Sequence, residues 1–349
     1  MSRTAIVLFN LGGPDRPQAV RRFLFNLFND RAIIALPQPL RWLIAALIAG
    51  RRAGVARAIY DKIGGCSPLL ANTEAQAHAL EAALGADYRC FVAMRYWHPL
   101  SDVAARAVKA WRADRVVLLP LYPQFSATTT ASSFVAWRRA AKRYGLRAPT
   151  AALCCYPREP GFIAAAAAGI RRTLSQLGAG TPYRLLFSAH GLPRKNVRAG
   201  DPYQFQVEAT VAALRAALAI EGLDSVICYQ SRVGPLEWIG PTTDAEITRA
   251  GAAGLAVVVV PVSFISEHSE TLVELDIEYR HVAERSGVPA YFRAATVGLD
   301  VAFIAGLARL VGGATGEGVR CAEGKRICPA EFTKCPLAKP LSAAAAGAG

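Results

Sequence analysis

The chain has 349 residues, enough for two domains of ordinary size, with 53% hydrophobic residues and a formal net charge of +14. No apolar run approaches the roughly 18 residues needed to span a bilayer, and the opening AIVLF is too short for a secretion signal, so a cytoplasmic protein is expected. The basic surplus suits lipid headgroups or an acidic small molecule; no nucleic-acid-binding signature accompanies it, and eight cysteines in a reducing compartment point to metal ligation or core packing rather than to disulfides.

In chain order, short apolar runs recur at AIVLF (5–9), CFVAM (90–94), VVLLPL (116–121), RLLF (184–187), SVICY (225–229) and AVVVVPV (256–262). Nearly continuous runs of this kind suit parallel strands covered on both faces. Ala- and Arg-rich helical segments separate them, at 103–112, 161–177, 206–221 and 243–251, which predicts an α/β chain of doubly wound, parallel-sheet type. The runs divide into two sets of three with matching ends. CFVAMRYWHPL parallels SVICYQSRVGPL, and VVLLPL parallels VVVVPV, so a duplicated Rossmann-like half is inferred. The first two runs begin at 5 and 90 in one half and at 184 and 225 in the other. The extra length places an insertion at about 14–60. Its apolar stretch Trp42 to Ile48, flanked by Arg41, Arg51 and Arg52, reads either as a surface-lying lip helix or as an ordinary capping helix.

Ligands of open α/β sheets bind beyond the carboxyl ends of the strands. Those positions read NLGGPD, RYWHPL, YPQFSATTT, SAHGLP, QSRVGPLEW and SFISEHSET, and they hold three of the five histidines; His78 and His281 are expected at the surface. The last of these opens an acidic segment, FISEHSETLVELDIEY. As an α-helix it would align Glu267, Glu270, Glu274 and Glu278 on one face, with no Lys or Arg before Arg280. A functional acid stripe and a solvated helix face both fit that spacing.

SAHGLP, GDPY, QSRVGPLEWIGPTTD and HSETLVELDIEY, with NLGGPD, GGCSP, MRYWHPL and YPQFSATTTASS, make the chain from about residue 4 to 312 resemble the ferrochelatase family. The resemblance implies insertion of Fe(II) into protoporphyrin IX, with coproporphyrin or another tetrapyrrole and metal as the nearest alternative and a non-catalytic haem- or cluster-binding protein as a distant one. It implies two Rossmann-like halves, 1–155 and 156–315, with the active cleft between them, an apolar lip in the insertion, and a tail from 316 to 349. His190 is the expected base, paired with Glu270. These two would also meet the iron, while Glu274 and Glu278 carry protons or metal away. The macrocycle is expected to lie against Leu11, Tyr60 and Trp238, and its propionates to meet Arg51, Arg52 and Arg95, with Tyr96 and Ser67 as further contacts. His98 stays open between a site residue and a structural donor. No nucleotide cofactor and no nucleic-acid partner are expected. The chain is expected to be a monomer or homodimer, attached loosely to the inner membrane surface.

Cys321, Cys328 and Cys335 follow one another at equal spacing near the end of the chain. Clustered thiolates suit zinc or an iron–sulfur centre, and loose thiols are the plain alternative. Some ferrochelatases hold a [2Fe–2S] cluster on tail cysteines plus one from the body, which in animal enzymes follows YPQ-x-S; here Ala127 stands there. Cys154 is then the expected fourth ligand, with Cys155 as its alternative. Cys66, Cys90 and Cys228 read as core, and the closing SAAAAGAG as disordered.

Overall fold

A computed structural model gives the protein's structure over residues 2–338; the closing SAAAAGAG lies outside the described residues. The chain divides into two compact units. One holds Met1–Tyr156 and Leu307–Ile327 with the segment from Cys335, and the other holds Pro157–Gly306 and Cys328–Lys334.

In the first unit the strands are β1 (Thr4–Asn10), β2 (Tyr88–Met94), β3 (Arg115–Pro120) and β4 (Thr150–Leu153), and the helices are α1 (Val20–Phe28), α2 (Leu40–Asp61), α3 (Leu69–Leu84), α4 (Ser101–Trp111) and α5 (Thr130–Arg143). The second unit carries α6 (Pro160–Leu174), β5 (Tyr183–His190), α7 (Arg194–Arg198), α8 (Tyr203–Leu218), β6 (Ser225–Gln230), α9 (Thr243–Ala252) and β7 (Ala256–Pro261). A π-helix (Glu270–Glu278), α10 (Tyr279–Arg285) and β8 (Tyr291–Arg293) complete it. After α11 (Val301–Gly313), the strand β9 (Gly318–Arg320) returns to the first unit's sheet. The sheets run β2-β1-β3-β4-β9 and β6-β5-β7-β8, and every pairing among the named strands is parallel.

The six expected strands are three consecutive ones of each sheet, β2-β1-β3 and β6-β5-β7, and the shared order answers to the inferred duplication. β4, which ends at Leu153, answers to the strand expected before Cys154, whereas β8 and β9, of three residues each, were not foreseen, being too short to stand out as apolar runs. All seven residues of β1 and all six of β7 are buried, as strands covered on both faces should be. Phe9 on β1 anchors one core, its ring edge-on to Phe134 at 5.8 Å and to Trp137 at 6.2 Å.

The insertion forms α1 and α2. Ala45, Ala49 and Ala53 recur every fourth residue and are buried, a small-residue face that lets α2 approach α1 closely. Leu40, Leu43 and Leu47 fall on another face of α2 and are about half exposed, at 48%, 56% and 52%.

Candidate active site

β5 runs on to His190, three residues beyond the expected RLLF, because Ser188 and Ala189 still pair with β6. The turn that follows needs Gly191. A Cβ there would lie 2.9 Å from the Gln230 carbonyl and 3.1 Å from Cε3 of Trp238, which brings the indole beside the His190 turn. The GDPY motif supplies a second support: Asp201 Oδ1 accepts from the Tyr203 amide at 3.1 Å, and the Tyr203 hydroxyl reaches the His190 carbonyl at 3.0 Å and Ser263 Oγ at 2.9 Å.

His190 Nδ1 lies 2.6 Å from the Gly191 carbonyl, and His268 Nδ1 lies 3.2 Å from the Ser266 carbonyl. A carbonyl can only accept, so in each neutral ring the proton sits on Nδ1 and Nε2 carries the lone pair. Both lone pairs face the same carboxylate: His190 Nε2 is 3.7 Å from Glu270 Oε1, and His268 Nε2 is 3.4 Å from Glu270 Oε2. Three acceptors therefore converge, and protons between them bring relief. Burial works to raise the Glu270 pKa, but the positive charge of the two rings once they are protonated outweighs it and holds the carboxyl down to about 2.

The acidic segment is not the α-helix its spacing suggests. Glu270–Glu278 winds as a π-helix, whose turn is a little over four residues, so that Glu270, Glu274 and Glu278 succeed one another turn by turn. Glu267 lies before this helix and is neutralised: Arg293 Nη1 donates to it at 2.9 Å, as does the Thr296 amide. Asp276 takes the remaining guanidinium edge at 2.6 and 2.7 Å. Among the described residues Glu274 has no cation within ion-pair distance. Its Oε1 accepts from the Ser231 amide at 2.8 Å and the Tyr279 hydroxyl at 3.0 Å, and its Oε2 from Gln230 Nε2 at 3.3 Å and the Ser231 hydroxyl. Burial first, then the charge of Glu270, raise its pKa despite these donors. Glu278 is exposed. Neighbouring carboxyls are thus tuned apart, one kept anionic and one inclined to hold a proton.

The expected porphyrin contacts of the first unit gather around one apolar cluster. Leu11, Tyr60 and Tyr96 pack in it together with Phe23, Leu24 and Trp97. Gly13 runs so close to Ser67 that a Cβ would stand 2.3 Å from its Oγ. Tyr96 is fully buried, and Arg95 donates to Asp30 Oδ2 at 2.7 Å and to Ser132 Oγ at 2.6 Å. On α2, Arg51 is exposed and Arg52 half-buried. His98 is exposed, its ring edge-on to Trp97 at 5.2 Å.

Cys154, Cys155 and Cys321 share one apolar pocket with Phe125, and the sulfurs of Cys154 and Cys155 are 3.6 Å apart. Its hydrogen bond with Cys155 and then burial push the Cys321 thiol far above the ordinary range; Cys155 is raised likewise, first by its bond with Cys154. Cys328, which accepts from Gln206 Nε2 at 3.2 Å, and Cys335 are buried too. All five cysteines sit in a packed, buried setting. Among the described residues no group of three or more His, Cys, Asp or Glu side chains is set to hold a metal ion, so as placed they do not form the expected four-thiolate site. Of the three cysteines read as core, Cys228 is buried, Cys90 half-buried, and Cys66 exposed because it sits in the turn before α3.

His268 is singled out in the sequence by its place at the head of the acidic segment, whereas Tyr203, Asp30 and Ser231 are site residues that sequence reasoning did not single out. GDPY and QSRVGPLEW contained two of them, but a motif does not say which side chain will face His190 or Glu274.

The family model described as Ferrochelatase matches residues 3–314. A protein named Ferrochelatase from Caulobacter vibrioides is 53% identical, covering 98% of this chain and 99% of its own. One from Phenylobacterium zucineum is also 53% identical, over 95% and 97%, and one from Pelagibacter ubique is 44% identical, over 96% and 98%. Among solved structures, the sirohydrochlorin chelatase SirB from Bacillus subtilis subspecies spizizenii in complex with cobalt superposes with a TM-score of 0.54 at 10% identity, over 89% of this chain and 95% of its own, a likeness of fold alone.

Proposed function

The chain belongs to the ferrochelatase family, which inserts Fe(II) into a porphyrin in haem biosynthesis, and from that premise we propose how its residues divide the work. Insertion must remove two protons from the pyrrole nitrogens as the metal enters. His190 takes them on Nε2, the atom left bare by the Nδ1 bond to Gly191, and passes them to Glu270. His268, once it carries a proton on Nε2, can donate to the other oxygen of Glu270, and the raised affinity of Glu274 for a proton draws the next transfer along the π-helix toward exposed Glu278. His190 and Glu270 are also the ligands offered to the ferrous ion, which is the substrate. The observation that carries this reading is the convergence of two Nε2 lone pairs on one carboxylate.

The macrocycle is assigned to the apolar cluster of Leu11 and Tyr60, with Trp238, Tyr96 and Ser67 as further contacts, and its propionates to Arg51, Arg52 and Arg95. Protoporphyrin IX is the preferred substrate on this reading. Anaerobic incubation with Fe(II) and either protoporphyrin or coproporphyrin, followed by haem absorbance, tests both activity and preference; absence of haem from either would sink the assignment.

Among the described residues no helix is long and apolar enough to cross a membrane. Attachment from the cytoplasmic side is instead assigned to α2, where Leu40, Leu43 and Leu47 make an exposed stripe that Arg51 continues.

A [2Fe–2S] centre on Cys321, Cys328, Cys335 and Cys154 or Cys155 is a separate claim, and no step above is routed through it. It is supported by the burial of all five sulfurs and by Cys321 meeting Cys155. Two irons and two acid-labile sulfides per chain in anaerobic protein would establish it. A colourless, fully active preparation would leave the thiols as packing.

A further inference from the structure

The corner after β2 carries a cation whose orientation is set by the insertion. Asp30, two residues past the end of α1, has a side chain only 8% exposed. Its Oδ2 accepts from Arg95 Nη2 at 2.7 Å, the Tyr96 hydroxyl at 2.8 Å and the Ser132 hydroxyl, and its Oδ1 from the Ala32 amide at 2.9 Å. Ser132 in turn accepts from Arg95 Nε at 2.6 Å. The guanidinium is thus gripped along its Nε–Nη2 side, with Cζ 4.8 Å from the Tyr96 ring centroid. Nη1 takes no partner among the described residues, and the Arg95 side chain is 21% exposed. The backbone under it is fixed as well: the Arg95 and Tyr96 amides donate to the Asn10 and Leu11 carbonyls, and Asn26 of α1 donates to the Tyr96 carbonyl at 3.0 Å.

An ion pair that only neutralised Arg95 would present two carboxylate oxygens to two guanidinium nitrogens, the fork that satisfies both partners best. Here a single oxygen takes three donors from two segments of the chain, and one nitrogen is left over. Burial alone would raise the Asp30 pKa, but Arg95 and the hydroxyl and amide donors together hold it below the usual range, so the carboxylate stays charged.

We propose that Asp30 is a positioning residue: with Ser132 it holds Arg95 in the one orientation that offers the Nη1 edge to a carboxylate of the porphyrin. This rests on the reading of Arg95 as a propionate contact, and it makes the insertion an organiser of carboxylate recognition as well as an apolar surface.

The test is a mutant cycle on binding. Quenching of intrinsic tryptophan fluorescence would report the affinity of wild type, D30N, R95Q and D30N/R95Q for a porphyrin with two free propionates and for its dimethyl ester. D30N should weaken the diacid about ten-fold, the worth of one charge-assisted hydrogen bond, and leave the ester unmoved. In the R95Q background D30N should add nothing, because its effect passes through Arg95. Wild-type diacid affinity in D30N, equal weakening of diacid and ester, or full additivity with R95Q would each overturn the inference. Wild-type diacid binding by R95Q would remove the propionate reading along with it. Should D30N not fold, S132A, which deletes one hydroxyl, enters the same cycle, with the same pattern expected at smaller size and an unchanged diacid affinity overturning it.

Discussion

β1 and β5 occupy the same place in their sheets, each flanked by the two strands that follow it in its own half, yet their carboxyl ends carry different charge arrangements. Around β1 the charges are matched: Asp30 faces Arg95, and hydroxyls complete the set. Around β5 they are not. Glu270 has two imidazoles that are neutral unless they take protons, and Glu274 has hydroxyl and amide donors but, among the described residues, no cation within ion-pair distance. A matched pair holds a shape, whereas an unmatched cluster holds a demand for protons. On the proposed reading, one scaffold occurs twice and the residues past its strand ends divide propionate binding from proton transfer.

The largest effect expected from breaking this asymmetry is in turnover. Glu270→Gln keeps the size and a hydrogen-bonding oxygen but cannot take a proton at neutral pH, and should lower the rate of haem formation by about 100-fold or more. A rate within a few-fold of wild type, read by haem absorbance under anaerobic conditions, would mean that the carboxylate is not a relay.

Next in size is the one matched set within the acidic segment. Arg293→Leu strands Glu267 and Asp276 without their cation, and since both acids are partly exposed the loss should be about 2 kcal/mol, seen as a lower urea midpoint of the circular dichroism signal. An unchanged midpoint would show that solvent already screens them.

A smaller effect sharpens the contrast through pH. The folded pKa of Glu270 is depressed, so its stabilising contribution is present above the unfolded value near 4.5 and is lost as pH falls from there toward about 2. The stability difference between wild type and Glu270→Gln should therefore shrink across that window. A difference independent of pH would place its origin in packing. Smallest in energy is the membrane contact. Leu43→Ser with Leu47→Ser should weaken binding to anionic vesicles while leaving turnover on soluble porphyrin unchanged, whereas equal vesicle binding would make α2 a plain cap.

Much of this was legible in the sequence, for stated physical reasons. Continuous apolar runs such as AVVVVPV marked three strands of each sheet, and their unequal spacing marked the insertion at the position where α1 and α2 lie. The acidic segment was legible in content but not in geometry: a period of 3.6 put Glu267 on the stripe, and only the π-helix and the later Arg293 separate it from Glu270. Convergence of side chains from distant segments was not legible at all. Nothing in the spacing of Asp30, Arg95 and Ser132 announces that they meet, and the tail cysteines' regular spacing does not reveal that Cys321 lies against Cys155.

The central claim is that His190, at the β5 end, removes protons and is not what docks the macrocycle. Single-turnover mixing of Fe(II) with porphyrin already bound to His190→Ala tests it most directly. The account predicts porphyrin affinity near that of wild type and no haem on the wild-type timescale. Haem formed at the wild-type rate, or a variant that no longer binds porphyrin, would contradict it.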